Sequence, residues 1–471
     1  MNLCDLRVSA AINEAEQTAE NGDDPNMAKT SGPKIVMVGG GSYNWCPRLM
    51  RDLILTDELA GSEVVLLDPD VAAAREVKAA ADAMAKRWAK PFKVVATKSE
   101  ATAFRDADFV IITISTGGLD AMAHDLKVPE KYGIFHTVGD TVGPGGWSRA
   151  LRNVPVFVHL AQQIEKYSPR AVVLNYTNPL SVLTATVGAV SDLRVVGLCH
   201  GVFGTYRLLQ RIFKCEEKDL AVNFGGVNHF FWIVDFTVRG KPGYPALARK
   251  LRGRPIWQAA AADTDEAGHS SGLELCDEFY QQYGYLTYAG DRHTSEFLPG
   301  YLTPTAGDLK KFKLVRTSVQ QRRAGHKRGR KFTRDLARGK VDPGPRSRET
   351  AVDIMMALAH GKAFVDVVNL PNDGQIDNLP RDAVVETLGL VDPLGFRPVA
   401  VGEMPTVLEQ LLTPHCLCQL MTLDAALTGD KRLAFEALMT DPICGHLAPR
   451  QVRKMGAELM AATKQWLPQF K

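Results

Sequence analysis

The stretch between residues 34 and 68 constrains the fold of this chain more than any other part of the sequence. The apolar run Lys34-Ile35-Val36-Met37-Val38 is followed directly by Gly39-Gly40-Gly41-Ser42. An amphipathic segment comes next, and a second apolar run that starts at Glu63 ends in Asp68. This order of strand, glycine turn, helix, strand and acid is typical of a dinucleotide-binding unit, in which backbone N–H groups approach a pyrophosphate.

We therefore predict that Gly39, Gly41, Ser42 and Asp68 bind a nucleotide cofactor, with the acid accepting hydrogen bonds from ribose hydroxyls. The pattern has two departures, because Asn44 stands where a third glycine is usual and Asp68 lies further along than the usual ~20 residues. The alternative is that the glycines only form a tight turn, as a strand-to-helix connection often requires. The flanking apolar runs favour the nucleotide site.

The same alternation of apolar runs and amphipathic segments continues to about residue 200, which predicts a doubly wound parallel sheet. One run ends in Ser115-Thr116-Gly117-Gly118, and another ends in Asn175-Tyr176-Thr177-Asn178-Pro179. Because ligands bind at the carboxyl ends of the strands in such sheets, we expect Ser115, Thr116 and Asn175 to face the cofactor. Two amides beside a proline also suit hydrogen bonds to ligand hydroxyls, although a simple turn has the same pattern.

Between these runs, a glycine-rich loop over residues 139–146 is expected to lead into a helix from about Trp147 to Tyr167. After residue 200 the alternation weakens and the pattern indicates mixed helices and strands. We predict an α/β protein with a flexible extension over residues 1–32, a Rossmann-like NAD-binding domain over residues 33–200, and an α+β domain over residues 201–471 for substrate, metal and oligomer contacts. This arrangement is similar to the architecture of lactate and malate dehydrogenases.

A thiol and an imidazole follow two separate apolar segments in the middle of the chain. Val195-Val196-Gly197-Leu198 leads into Cys199-His200-Gly201, and a Gly-Gly-Val segment leads into Asn228-His229. A thiolate and an imidazole from two elements form a mixed site for a borderline divalent metal, and open positions would suit catalysis. The alternative is that Cys199 is a buried apolar residue and His229 a hydrogen-bonded core histidine.

Charge and cysteine content restrict the classes of partner. A formal net charge of +3 over 471 residues gives no general reason to expect nucleic acid or an anionic membrane as a partner. We also expect neither a membrane span, which needs ~18 apolar residues, nor a secretory signal. The eight cysteines are scattered without a CxxC pair, which favours reduced thiols and a cytoplasmic location. The basic segment 310–340 is interpreted as a solvated helix face or a mobile loop, with attraction of an acidic substrate as the alternative.

Taken in order, these motifs resemble glycoside hydrolase family 4, the NAD- and manganese-dependent glycosidases. The resemblance extends from Lys34 to about Leu447. Besides the motifs quoted above, it rests on Asp140-Thr141-Val142-Gly143-Pro144-Gly145-Gly146, Gly290-Asp291-Arg292-His293-Thr294-Ser295-Glu296 and Asn369-Leu370-Pro371-Asn372-Asp373-Gly374. Gly139 stands where many family members have Gln, and the basic segment matches no motif of the family.

The resemblance implies a redox-elimination mechanism, unlike that of glycosidases with paired carboxylates. NAD⁺ would take hydride from carbon 3 of the sugar, a base would remove the proton on carbon 2, and the glycosidic oxygen would leave by elimination. Water addition and return of the hydride would complete the reaction. Mn²⁺ or another divalent metal would stabilise the enediolate as a Lewis acid.

The resemblance also implies roles for residues at matching positions. Cys199 and His229 would bind the metal, and Tyr285 would be the base, with Tyr288 as the second choice. A tyrosine, whose ordinary pKa is ~10, would need a nearby cation or metal for this role. His200 would either help to protonate the leaving group or orient a neighbouring residue.

The residues after the cysteine indicate an unphosphorylated substrate. Family members that act on phosphorylated sugars carry Asp or Asn at the next position, whereas Cys199-His200-Gly201 is most similar to the α-glucuronidases. We expect Asn178, Asn228 and Arg292 to contact the sugar, and an acidic sugar would pair with Arg292 or with an arginine of the basic segment. α-Glucuronides are the preferred substrates on this reading, with α-galactosides and α-galacturonides as the alternatives.

Two other classes of protein are considered. A net NAD-dependent dehydrogenase of a sugar or hydroxy acid would use the same scaffold and would not need Cys199. A non-catalytic NAD- or sugar-binding protein would have lost Cys199, His229 or the tyrosine, and all of these are present. The resemblance further implies a homodimer or homotetramer.

Overall fold

The computed structural model describes residues 32–260, 272–302 and 308–470. The extension predicted over residues 1–32 lies outside these ranges except for Gly32. The strands of the described residues are β1 (Lys34–Val38), β2 (Glu63–Leu67), β3 (Lys93–Thr97), β4 (Phe109–Ile112), β5 (Val172–Asn175), β6 (Arg194–Gly197), β7 (Leu220–Val227), β8 (Phe230–Val238), β9 (Lys241–Pro242), β10 (Phe364–Pro371), β11 (Val384–Asp392) and β12 (Gly395–Pro398).

Helices connect and cover these strands. In the described ranges they are α1 (Cys46–Ile54), α2 (Val71–Arg87), α3 (Glu100–Phe104), α4 (Gly118–Glu130), α5 (Gly143–Tyr167), α6 (Leu180–Val190), α7 (Gly201–Phe213), α8 (Gly243–Leu251), α9 (Ile256–Ala259), α10 (Glu274–Tyr283), α11 (Asp291–Thr294), α12 (Asp308–Lys311), α13 (Val319–Ala337), α14 (Ala351–His360), α15 (Thr406–Thr428), α16 (Lys431–Thr440) and α17 (Pro449–Ala462).

The strands form one sheet in the order β3-β2-β1-β4-β5-β6-β10-β11-β7-β8-β9, with β12 paired to β11. The first six strands are parallel neighbours. Their order, 3-2-1-4-5-6, is that of the doubly wound dinucleotide-binding fold, and the predicted fold class is confirmed.

The apolar runs of the sequence are buried because helices cover both faces of the parallel part of the sheet. Ile35 and Met37 of β1 pack into a core shared with α1, α2 and α14. Val36 and Val38 point to the opposite face and pack with α5 and α6. Alternate side chains of one strand therefore fill two separate cores.

The antiparallel part continues the same sheet. β10 pairs with β6 through Asn369 and Gly197, and β11 pairs with β7 through Glu386 and Gly226. β7 and β8 form a hairpin closed by the two-residue turn Asn228-His229. The boundary expected at residue 200 falls between β6 and α7, inside this continuous sheet, and the division into two domains stays a prediction.

The long helix α5 begins four residues earlier than the sequence indicated. Gly143 to Gly146 form its first turn, and the Gly143 N–H donates to Asp441 Oδ2 at 2.9 Å. Proline and glycine are tolerated in a first helical turn, because its N–H groups have no partner within the helix. The expectation of a loop up to residue 146 was therefore wrong.

The basic segment 310–340 forms the helix α13, which packs along α2 and has only Thr333 and Leu336 buried. This agrees with the interpretation as a solvated helix face. Across the described ranges, no helix is long and apolar enough to cross a bilayer. The cysteines of these ranges are free thiols.

Candidate functional site

The turn between β1 and α1 is too tight for side chains at two of its glycines. Gly39 has a φ of +88°, and a Cβ atom there would lie 2.3 Å from the carbonyl oxygen of Thr113. A Cβ atom at Gly41 would lie 2.9 Å from Asp68 Oδ2. The turn is therefore lined by backbone, which fits the close approach of a pyrophosphate.

Asp68 follows β2 and holds this turn. Its Oδ2 accepts a hydrogen bond from the Gly41 N–H at 2.9 Å, and its Oδ1 accepts one from the Asp70 N–H at 2.8 Å. Because a carboxylate can accept about four hydrogen bonds, Asp68 keeps capacity for ribose hydroxyls. Ser42 lies in the same turn and accepts a bond from the Trp45 N–H at 3.3 Å. The four predicted residues of the turn lie together.

The loop after β4 lies beside this turn because β1 and β4 are neighbours. Ser115 is exposed, whereas Thr116 Oγ1 donates to Asn153 Oδ1 at 2.7 Å. Arg152 donates to the Thr116 carbonyl at 3.0 Å and forms two hydrogen bonds with the buried Asp125. Nothing in the sequence indicates this buried pair, which fixes the loop through the bond from Arg152 to the Thr116 carbonyl.

Asn175 differs from the other residues predicted for the cofactor site. It is fully buried, its Oδ1 accepts the Thr177 N–H at 2.8 Å, and its Nδ2 donates to Thr184 Oγ1 at 3.1 Å. Both ends of the amide are therefore occupied within the protein. The structure gives Asn175 a role in holding the loop after β5, in place of the cofactor contact that we expected.

Three elements bring potential metal ligands together. His229 lies in the β7–β8 turn, Asp140 precedes α5, and His293 lies in α11, and one ligand atom from each lies within 4.8 Å of the others. The ring centroids of His229 and His293 are 3.9 Å apart. The sequence analysis identified only His229, because nothing in the spacing of Asp140 and His293 shows that these elements meet.

Thr141 orients the His229 ring. Its Oγ1 lies 2.9 Å from His229 Nδ1 and donates to Asp140 Oδ1 at 3.0 Å. A bond from Nδ1–H to Thr141 leaves Nε2 as the nitrogen that can bind a metal. Burial opposes ionisation of Asp140, but the charges of Arg149, His229 and Arg322 lower its pKa overall. A carboxylate beside two imidazoles suits a divalent metal.

Cys199 lies beside Tyr288, whose ring is in turn near that of His229. A Cβ atom at Gly201 would lie 3.4 Å from Cys199 Sγ and 2.8 Å from the Tyr288 ring. The centroids of the Tyr288 and His229 rings are 5.8 Å apart. Burial, with the Glu386 carboxylate nearby, raises the pKa of the Cys199 thiol. A cation beside the sulfur would therefore be needed to keep it ionised, and the donor set fits a divalent metal.

Asn228, which forms the β7–β8 turn together with His229, is hydrogen-bonded to a buried acid. Its Nδ2 donates to Glu386 Oε2 at 2.8 Å, and both side chains are buried. Burial raises the pKa of Glu386 to about 7. This contact fixes the turn that carries His229, so the geometry supports a positioning role for Asn228 more directly than the sugar contact that we expected.

The two tyrosines proposed as the base lie in different surroundings. The Tyr285 ring packs edge-on against Tyr244, with centroids 5.9 Å apart. The Tyr288 ring is buried and lies 5.8 Å from His229 and 5.9 Å from His293, measured between centroids. The structure therefore brings Tyr288, our second choice, to the potential metal ligands, and the preference for Tyr285 is not supported.

His200 precedes α7 and faces a buried acid that the sequence analysis missed. Its Nδ1 lies 3.6 Å from Glu349 Oε1, which also pairs with Arg48 at 3.4 Å. The ring centroid of Trp45 is 6.0 Å from that of His200. Part of the His200 side chain stays exposed, so it can reach a ligand while Glu349 orients it.

Arg292 and Asn178 complete the predicted set. Arg292 is buried, and its Nη2 donates to the Thr137 carbonyl at 3.1 Å and to Thr317 Oγ1 at 2.6 Å. These contacts use the guanidinium inside the protein, so the expected pairing with a sugar carboxylate is not supported. Asn178 is half-buried, and its carbonyl accepts a bond from Arg149 at 2.9 Å.

Comparisons with known proteins agree with this arrangement. Residues 34–215 match the family model described as family 4 glycosyl hydrolase, and residues 224–444 match its C-terminal domain. An α-galacturonidase of Thermoanaerobacter italicus is 34% identical over 94% of this chain and 99% of its own length. An α-galacturonidase of Bacillus subtilis is 35% identical over 87% of this chain and 93% of its own length.

One solved structure supports the fold. A 6-phospho-α-glucosidase from gut microorganisms, solved with NAD and Mn²⁺, is 22% identical and has a TM-score of 0.80, with 94% of this chain and all of that chain covered. The two family models together span most of the sequence, as the motifs from Gly39 to Gly374 predicted. This protein belongs to family 4 of the glycosyl hydrolases.

Proposed function

We propose that this protein hydrolyses unphosphorylated α-glycosides of a uronic acid, preferably α-galacturonides, with NAD and a divalent metal such as Mn²⁺. The observation that carries this proposal is that Tyr288 lies near both Cys199 and His229, in a chain whose parallel sheet carries a dinucleotide-binding glycine turn. A dehydrogenase on this scaffold would have no use for a thiol beside an imidazole and a phenol.

Two observations bear on which sugar is proposed as the substrate. The pattern after Cys199 favours unphosphorylated substrates, with α-glucuronides first. The relatives at 34% and 35% identity are named α-galacturonidases, which favours galacturonides. The two sugars differ only in configuration at carbon 4, so α-glucuronides are the second candidate.

The cofactors are proposed from the fold and the donor sets. The 6-phospho-α-glucosidase with the same fold holds NAD and Mn²⁺. Bound NAD would accept and return hydride at carbon 3 of the sugar, and a bound divalent cation would act as a Lewis acid. Gly39, Gly41, Ser42 and Asp68 would hold the dinucleotide together with the Ser115-Thr116 loop. Cys199 and His229 would hold the metal, with Asp140 and His293 as further donors.

Tyr288 is proposed as the base that removes the proton from carbon 2. Its ring lies near both Cys199 and His229, so a cation held by these residues would act on the phenol. A nearby positive charge lowers the pKa of a phenol and makes it a stronger candidate near neutral pH.

His200 is proposed as the acid that protonates the leaving oxygen. Glu349 Oε1 lies 3.6 Å from His200 Nδ1, so this carboxylate can orient the His200 ring. With Nδ1 facing Glu349, the Nε2–H is the donor that can reach the substrate. Asn178 is proposed to contact sugar hydroxyls from the loop after β5. We also propose a homodimer or homotetramer, from the family resemblance, and a cytoplasmic location, from the scattered cysteines without a CxxC pair.

The proposal is tested by hydrolysis of the p-nitrophenyl α-glycosides of galacturonic acid, glucuronic acid, galactose and glucose. NAD⁺, Mn²⁺ and a thiol reductant are each added and withheld, and NADH absorbance is followed in parallel. We expect nitrophenol release that needs NAD⁺ and Mn²⁺, is fastest with the galacturonide, and proceeds without accumulation of NADH. NADH formed in step with substrate loss would instead indicate a dehydrogenase.

A further inference from the structure

The basic helix α13 (Val319–Ala337) is held almost entirely by polar contacts. A series of half-buried and buried residues recurs every three or four positions along α13. These residues are Arg322, Gly325, Gly329, Thr333 and Leu336. Residues three and four apart share a face, so this stripe is the inner side of the helix. Only its last member is a large apolar residue, which leaves the helix without the apolar stripe that usually fixes a helix to a core.

Ion pairs fix α13 to two different helices. Arg330 and Arg334 each form two hydrogen bonds with Glu76 of α2, between 2.7 and 3.1 Å. These bonds lower the pKa of Glu76 to about 2. Nearer its amino-terminal end, Arg323 pairs with Asp120 of α4 at 2.5 Å.

These anchors place α13 across the end of β1. In the sheet β1 lies between β2 and β4, while α2 follows β2 and α4 follows β4. A helix fixed to both α2 and α4 therefore spans the glycine turn that follows β1. Direct contacts agree, because the His326 ring lies 5.2 Å from that of Tyr43. Arg322 extends the span by donating to the Val138 carbonyl at 3.0 Å, two residues before Asp140.

Two glycines on the inner face of α13 differ in what surrounds them. A Cβ atom at Gly329 would lie 2.6 Å from Asn44 Oδ1, so close packing on the glycine turn explains this residue. A Cβ atom at Gly325 would have only Arg328 Nη2 within 4 Å, at 3.7 Å, among the described residues. A glycine inside a helix is unfavourable relative to alanine, and at Gly325 no close contact with the described residues offsets this.

We propose that α13 forms the outer wall of the dinucleotide site and that Gly325 leaves the space in which the bound cofactor contacts this helix. The cationic helix complements the pyrophosphate charge, and its anchors on α2 and α4 close the crevice over the glycine turn. A cofactor that is regenerated within each turnover need not leave, so a covered site suits the reaction. This inference rests on the NAD dependence in the proposed function.

The test compares two leucine substitutions at neighbouring positions of α13 in the full-length chain. Gly325→Leu fills the proposed space, and Ala324→Leu adds a similar side chain one position away on the exposed face. NAD affinity is measured by calorimetric titration of cofactor-free protein, and Tm is measured without NAD. We expect G325L to raise the Kd for NAD at least tenfold with a Tm equal to or above that of the wild type. A324L should bind NAD within twofold of the wild type.

Equal NAD affinity of G325L and A324L would overturn the inference. If G325L lowers Tm, Glu76→Gln replaces it as the test, because it weakens the anchor of the carboxyl-terminal half of α13 on α2 and keeps an oxygen that can accept from the Tyr43 hydroxyl. E76Q should increase the rate of NAD dissociation severalfold, whereas Asp335→Asn, which breaks the exposed pair with Lys331 on the same helix, should not. An unchanged rate with E76Q would also overturn it. Failure of the wild type to bind NAD at all would instead reject the proposed function.

Discussion

At the scale of single residues, the candidate site depends on side chains whose partners come from distant parts of the chain. The sequence identified Cys199 and His229, since thiols and imidazoles are informative types wherever they occur. It could not identify Asp140 or His293 as their neighbours, because the meeting of three elements is a property of the fold. The sugar contact of Arg292 stays a prediction, because a charged residue in a motif gives no sign that it is buried and bonded to Thr317, as it is here.

The assignment of the base is tested by paired phenylalanine substitutions. Tyr288→Phe should lower kcat on the p-nitrophenyl α-galacturonide by about 10²- to 10⁴-fold, the usual contribution of a general base. Tyr285→Phe should change kcat less than threefold, because its ring packs on Tyr244 away from the potential metal ligands. Loss of activity with Y285F and retention with Y288F would restore the original order of preference.

The role of Thr141 is tested through metal affinity. Thr141→Val keeps the shape of the side chain and removes the hydrogen bond at His229 Nδ1. Such partners of metal-binding histidines typically contribute a factor of about 10–100 in affinity, so the Kd for Mn²⁺ should rise by that amount. The measurement is a titration of free Mn²⁺ by electron paramagnetic resonance.

Thr428→Val is the matched control for this substitution, since Thr428 is exposed and its hydroxyl bonds to local backbone groups, the Asp424 carbonyl and the Asp430 N–H. Its affinity for Mn²⁺ should equal that of the wild type. Equal affinities of T141V and the wild type would show that Thr141 does not orient a metal ligand.

At the scale of elements, one buried acid ties the loop before α5 to the segment after α11. Glu296 accepts hydrogen bonds from the Val138 N–H at 2.7 Å, the Gly139 N–H at 2.9 Å and Thr137 Oγ1 at 3.0 Å. These bonds place Asp140 opposite His293. The motif containing Glu296 is recognisable in the sequence. The hydrogen bonds by which Glu296 connects two segments could not be predicted, because the sequence does not show which loop it contacts.

Removal of these Glu296 hydrogen bonds should lower both the Tm of the protein and its affinity for Mn²⁺. In Glu296→Gln, an amide NH₂ group replaces one of the carboxylate oxygens that accept hydrogen bonds. Buried donors that lose their acceptor in this way cost about 1–3 kcal/mol. We expect a fall in Tm of several degrees by calorimetry and weaker Mn²⁺ binding. Glu436→Gln, which breaks an exposed pair with Arg432, should change neither. A stable E296Q with normal Mn²⁺ affinity would contradict the role of Glu296.

At the scale of the whole molecule, the prediction of the fold succeeded for the parallel strands and failed at connections. Strands β1, β2, β4 and β5 are buried on both faces, so each appears in the sequence as a continuous apolar run. The start of α5 was missed because Asp441, almost three hundred residues away, accepts the Gly143 N–H and stabilises a glycine-rich first turn. Long-range contacts of this kind leave no local signal.

Asp441 also makes the stability of the molecule depend on pH. Burial raises its pKa from 3.8 to about 6. A raised pKa in the folded state means that the stabilising contribution is complete below pH 3.8 and is lost as the pH rises through about 6. The side chain of Asp441→Asn does not ionise, so this variant lacks the loss of stability at higher pH. The Tm of the wild type minus that of D441N should therefore decrease from pH 4 to pH 7. A difference that is constant with pH would contradict this.

The central claim is that hydrolysis proceeds through removal of the proton on carbon 2 by Tyr288, and isotope exchange tests it most directly. The α-galacturonide is hydrolysed in D₂O with NAD⁺ and Mn²⁺, and the released sugar is analysed by proton NMR. The account predicts deuterium at carbon 2 of the product, since the proton that is removed is replaced from solvent. A product that retains its original hydrogen at carbon 2 would contradict the mechanism and indicate direct displacement at the anomeric carbon.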